Sequence, residues 1–172
     1  MGIWSGPFLI AASLLAVAGL AKMVDPTMTV GALRGIGLRM PALGVRTLGA
    51  LEAALAIVAA VTGAPAFVMG VAASYLAFTL FVIVAQARRL PIGTCGCFGK
   101  TDTPPSWIHV GVNLAAATSA IAVASNNGNG ILETLRAQPL AGVPFLALIA
   151  VGTYAAFTAL TVVPQLIRGV KP

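Results

Sequence analysis

The chain has two cysteines, Cys95 and Cys97. They stand two apart around a glycine, in the run Gly-Thr-Cys-Gly-Cys-Phe-Gly from Gly93 to Gly99. Scattered cysteines rarely fall so close. Gly96 lets the backbone take conformations that bring two sulfurs together, and Gly93 and Gly99 leave the flanks free to adjust. A bridge between such near neighbours is strained, and strained disulfides have less negative reduction potentials, which suits exchange better than stapling. Arg88, Arg89 and Lys100 lie in the same connector and, with the N-terminus of the helix that follows, favour thiolate over thiol. Thiol–disulfide exchange is the sharpest chemistry these residues offer. Two alternatives stay open. One is an inert thiol cluster or loop staple. The other is a set of soft ligands for Cu(I) or Zn, Cys95 and Cys97 with His109, which no further Cys or His in the chain can complete to four.

His109 is the single histidine, and it falls in the first turn of the helix expected after Pro104-Pro105, with Ser106 as its N-cap. Asn113 follows four residues later on the same face. Both should lie near the cysteines. His109 can carry a proton or deprotonate a cysteine, since imidazole changes charge near neutral pH; an interfacial histidine wetted by headgroups is the alternative.

Glu52 is the other anomaly, about two turns inside an apolar segment, where an ionised carboxylate is costly and usually has a partner or a function. Lys22 is its natural cross-helix partner and Arg46 the alternative. The pair is either a packing device or part of a proton or quinone site. No cofactor motif is evident, and a quinone is the one small molecule this carboxylate suggests.

The elements that must position these groups follow from composition. Hydrophobic residues make up 59% of the chain and charged residues 8%, against roughly a quarter charged in soluble domains. Unbroken apolar stretches run over about 5–24, 42–62, 65–87, 107–124 and 140–163, each long enough to cross a bilayer as a helix. Strands of a closed barrel would instead alternate in polarity every ten or so residues. An all-α polytopic bundle of five helices in one domain, 1–172, is therefore expected, with the cysteines in the connector 88–106. The first stretch lacks a basic leader and a convincing cleavage site, so it reads as a retained span. Arg34 and Arg39 sit among apolar residues between Asp25 and Met40, as in a short interfacial helix. Gly63-Ala64-Pro65 joins the second and third spans as a tight hairpin. Residues 131–138 read as a small surface helix. Polar stripes at Tyr75, Thr79 and Gln86, and at Tyr154, Thr158, Thr161 and Gln165, are expected to hydrogen-bond between helices. Ala50, Ala53, Ala54, Ala115 and Ala116 are expected to allow close packing.

The net charge of +6 forms no patch for nucleic acid. Lys22, Arg34, Arg39, Arg46, Arg88, Arg89, Lys100, Arg168 and Lys171 fall on one side of the spans and Arg136 on the other. By the positive-inside rule this puts the N-terminus outside, and the C-terminus and cysteine loop at the cytoplasmic face. The Ala, Gly and Val content is compatible with a bacterial plasma membrane.

Three features together carry a family resemblance: Ala21-Lys22-Met23-Val24-Asp25-Pro26 after the first span, Glu52 in the second, and Cys95-Gly96-Cys97-Phe98-Gly99 before the fourth with Asn113 following. The chain resembles the methylamine-utilisation MauE branch of the DoxX-like membrane proteins over roughly residues 8 to 125. The cysteine run is the most specific part. The resemblance implies a four-helix core associated with redox and disulfide chemistry, the fifth helix lying outside it. It also implies a role in electron relay or in maturation of a disulfide-rich periplasmic protein beside a thioredoxin-like partner. Val112 stands before Asn113 where a basic residue would be expected. A periplasmic role would want the cysteines outside, opposite to the charge count, which is taken here to decide topology. The other function classes are a non-enzymatic accessory or assembly subunit of a larger membrane complex, and a small transporter or metal carrier.

Overall fold

The structure is a computed structural model that describes residues 3–90, 103–126, 130–137 and 139–169. Its elements are α1 (Ser5–Val24), α2 (Thr27–Gly35), α3 (Ala42–Thr62), α4 (Pro65–Ala87), α5 (Trp107–Ser125), α6 (Ile131–Ala137), α7 (Pro139–Thr161) and α8 (Val163–Gly169), with no strand among the described residues. Five segments are long and apolar enough to cross a membrane, the last being Gly142–Leu166. At 1.5 Å per residue, the 20 residues of α1 span about 30 Å, the thickness of a bilayer's hydrocarbon core. The protein is a polytopic helical membrane bundle.

Local chemistry sets the breaks. Pro26 cannot continue α1 and forces Asp25 out of the helical region, to φ −131° and ψ 94°. The Asp25 carboxylate then accepts the Thr27 N–H at 3.1 Å, which starts α2. Gly63 closes α3 in the left-handed conformation, φ 66°, donating its N–H to the Ala59 carbonyl, and Pro65 takes the first position of α4. The expected hairpin is thus made.

α1 is the central helix. It packs along α3 and also meets α5 and α7, while α4 packs along α5. The core between them contains Phe8, Leu9, Leu15, Val68, Val71 and Tyr75, with small residues such as Ala56, Ala59 and Ala120 where helices come close. Half of the α1 span is buried, against 17% of the last one, so α7 is a peripheral addition.

Several expectations change on contact with the structure. The segment after α5 is not a mere surface helix: Thr134 on α6 is buried, Ile131 packs against the core, and Gly130 is pressed onto the α3–α4 turn. A Cβ at Gly130 would stand 2.3 Å from the Val61 carbonyl oxygen, so the close approach requires glycine. Among the described residues, the threonines of the stripe on α7 bond within their own helix rather than across. Thr158 and Thr161 donate to Tyr154 and Phe157 one turn back, and Tyr154 is exposed. Thr79 likewise donates to the Tyr75 carbonyl of its own helix. Of the alanines, Ala53 and Ala116 are buried but Ala54 and Ala115 are exposed. The tightest crossing is made instead by Gly19 and Gly49.

Candidate functional site

Because the spans alternate in direction, the C-terminal ends of α1, α4 and α7 and the N-terminal ends of α3 and α5 lie at one end of the bundle. Lys22, Gln86, Ser106 and His109 are carried at or beside these ends, and Glu52 and Tyr75 lie nearer the middle of α3 and α4.

Lys22 and Glu52 meet. The ammonium of Lys22 donates to Glu52 Oε2 in a buried ion pair, the two residues being 3% and 6% exposed. Helical side chains lean toward their own N-terminus. Lys22, in the last turn of α1, therefore reaches back into the bundle, and Glu52, on the antiparallel α3, leans toward the end from which Lys22 comes. Arg46 is exposed and takes no part. Gly19 and Gly49 make the meeting feasible. A Cβ on Gly49 would lie 2.5 Å from the Gly19 carbonyl oxygen and 2.9 Å from Lys22 Cβ, and one on Gly19 would lie 2.5 Å from the Gly49 carbonyl oxygen. Each charged residue thus follows, three positions on, a glycine that removes the obstacle to it. Lys22 Nζ also sits 4.7 Å from the centroid of the Phe78 ring, so the cation has an anion and an aromatic face as neighbours. Phe78 meets Tyr75 edge-on at 6.0 Å, and the Tyr75 hydroxyl donates to the Ala11 carbonyl at 2.6 Å.

His109 is buried, 2% exposed, and is not wetted at the interface. Ser106 stands at the N-cap position of α5 but makes no side-chain cap bond; its hydroxyl shares a 2.8 Å hydrogen bond with His109 Nδ1 instead. Among the described residues Nε2 has no hydrogen-bond partner. His109 and Asn113, itself buried, line a small cavity of about 20 Å³ with Tyr75, Phe78, Leu14 and Leu160. Phe78 is therefore shared: its ring borders this cavity and carries Lys22. Val112 packs against the apolar cluster of Leu14, Ala18 and Leu160, an environment in which a basic side chain would be uncompensated.

Cys95 and Cys97 lie outside the described residues, as does Lys100, but both flanks of their connector are anchored. On the near side Leu90 packs with Ala32 of α2 and Ala85 and Phe81 of α4. On the far side Thr103, 1% exposed, donates to the Leu160 carbonyl of α7 at 2.9 Å, and Gln86 of α4 donates to the Pro105 carbonyl at 2.9 Å. Leu160 itself lines the His109 cavity. The connector thus leaves and re-enters the bundle at the end where His109 sits, and Cys97 is six residues from Thr103, within about 20 Å of extended chain.

Ser106 had been read only as an N-cap, and Phe78, Thr103 and the two glycines had escaped notice in the sequence. Gly19 with Lys22, and Gly49 with Glu52, form a repeated Gly-x-x-charge pattern that could have revealed the last two.

The described residues make a multi-pass helical membrane bundle with a buried ion pair and, at the end where the flanks of the cysteine connector are anchored, a buried histidine. The family model for methylamine utilisation protein MauE matches residues 2–125, most of the chain, and the chain belongs to that family. The matched residues hold α1 to α5 and the cysteine connector, and α6 to α8 lie beyond them. No curated protein and no solved structure matches the chain.

Proposed function

We propose that the protein is the membrane-embedded thiol–disulfide component of a redox-protein maturation or electron-relay system, with Cys95 and Cys97 as the exchanging pair. The observation that carries this is the anchoring of the cysteine connector, through Thr103 and Gln86, at the end of the bundle where a buried histidine is oriented by Ser106. Membership of the MauE family, whose matched region includes the connector, supports an accessory role in the same direction.

In the proposed step, one thiol of the pair loses its proton, and the thiolate attacks a disulfide of a thioredoxin-like partner. A mixed disulfide forms and a partner thiolate leaves. The second cysteine then displaces the other partner sulfur. Two electrons and two protons pass to the partner, whose disulfide becomes a dithiol as Cys95 and Cys97 become a disulfide; the reverse direction balances equally. His109 accepts the first proton and returns it to the leaving thiolate. Replacing both cysteines by serine, in cells that depend on the protein, is expected to abolish its contribution. Full activity of that variant would sink the proposal.

A second reading is an accessory subunit without chemistry of its own. It is favoured by the size of the His109 cavity, about 20 Å³, which admits no organic substrate. Under this reading a stoichiometric partner co-purifies in mild detergent and the double serine variant remains functional.

Under either reading the protein resides in the bacterial plasma membrane with the cysteine end cytoplasmic. Arg34, Arg39, Arg46, Arg88 and Arg89 belong to elements at that end, in support of this orientation.

A further inference from the structure

His109 presents a hydrogen-bonding problem that its surroundings can solve. Nδ1 is engaged by Ser106, Nε2 is buried without a partner among the described residues, and no backbone group of a helix interior is free to take it. His109 is 2% exposed, so bulk solvent does not reach it. The cavity beside the ring, about 20 Å³, exceeds the 10–15 Å³ or so that one water needs. It is polar on one side only, where His109 and Asn113 stand one helical turn apart on α5.

We propose that this cavity is a single-water site, in which the water accepts from His109 Nε2–H and donates to the Asn113 side-chain oxygen. The ring is thereby held with Nδ1 as the acceptor facing Ser106. A proton arriving through Ser106 is taken at Nδ1, and the resulting cation keeps its Nε2–H on the bridging water. This second step rests on the thiol–disulfide reading; the water site does not.

The groups packed around the ring leave this water as the natural partner. α1 contributes Leu14, Leu15 and Ala18, and α7 contributes Leu160. From α4 come Phe78 and Tyr75, whose hydroxyl donates to the Ala11 carbonyl. Behind the Phe78 wall of the cavity, Lys22 is held against the phenyl ring with its charge compensated by Glu52.

Because the chain holds one histidine, nitrogen-15 histidine labelling reports on this ring alone. The full-length protein in phospholipid bilayers is examined by water-edited solid-state NMR. The expected result is a neutral ring protonated at Nε2 that receives magnetisation from water, with the transfer lost in Asn113→Leu. Ala18→Leu fills the cavity from its apolar side and is expected to remove the transfer too, so the test survives if one variant fails to fold. A wild-type ring without water transfer, protonation at Nδ1, or transfer unchanged in both variants overturns the site. The thiol link is read separately, by the alkylation rate of Cys95 and Cys97. A fall of about 10²-fold in Asn113→Leu, the low end of what a positioned base contributes, supports proton acceptance by His109. An unchanged rate, with the water signal lost, overturns that step and leaves the water site standing.

Discussion

Lys22, in the last turn of α1, and Glu52, in the middle of α3, form a buried ion pair beside the point where Gly19 and Gly49 let the two backbones touch. Neither charge is tolerable alone in the bundle, and each is placed by the lean of its side chain toward the other. The pair therefore behaves as one unit.

Removing one partner leaves an uncompensated buried charge. Lys22→Met or Glu52→Gln is expected to destabilise the bundle by about 3–5 kcal/mol, while Lys22→Met with Glu52→Met recovers most of the loss. Thermal unfolding of the three variants in detergent measures this. A double variant no more stable than the worse single one contradicts it.

The glycine crossing is expected to be intolerant. Gly49→Val places carbon where the Gly19 carbonyl oxygen lies 2.5 Å from the Cβ position, so α1 and α3 must separate, at about 1–3 kcal/mol and with damage to the ion pair. Gly31→Ala, with nothing within 4 Å of the added carbon, is the control, expected to be neutral or slightly stabilising. Equal effects of the two on the melting temperature would show that the crossing is not tight.

Phe78 offers the Lys22 ammonium its ring face and Tyr75 its edge contact. Phe78→Leu is expected to cost about 1–2 kcal/mol, and Phe78→Trp to retain the cation contact. If Lys22→Met shows the same Phe78→Leu loss as the wild type, the ring contributes by packing alone.

The connector's anchor can be loosened locally. Thr103→Val removes the bond to the Leu160 carbonyl, worth about 1 kcal/mol, and should raise local opening about fivefold. Amide hydrogen exchange at Thr103 and Ser106, which flank the N–H-less Pro104 and Pro105, reads this directly. Unchanged protection there would mean that the anchor does not restrain the connector.

Much of this bundle was legible in the sequence for a simple reason. Apolar runs bounded by Gly63-Ala64-Pro65, Asp25-Pro26 and Pro104-Pro105 leave a bilayer-spanning helix no other boundaries. Lys22 and Glu52 were legible as partners, because isolated charges in apolar runs must be compensated. What the pattern could not show was anything set by rotation about the helix axes. Whether Thr158 bonds across to a neighbour or back to its own helix, whether Ser106 caps α5 or turns to His109, and that Phe78 is shared by the ion pair and the cavity all depend on which faces meet. The end of the last span was blurred because Val162 interrupts helical assignment between α7 and α8 while the apolar segment runs on to Leu166. The chemistry of Cys95 and Cys97 was inferred from residue type and family, and those residues lie outside the described part of the structure.

The most direct test of the thiol–disulfide proposal is the redox state and sidedness of Cys95 and Cys97 in intact cells. Membrane-impermeant and permeant thiol labels are applied before and after mild reduction. The expected result is a pair protected before reduction and labelled after it, reached by the permeant label alone if the connector faces the cytoplasm. Cysteines that stay free throughout, or that no label reaches after reduction, would contradict exchange chemistry at this connector.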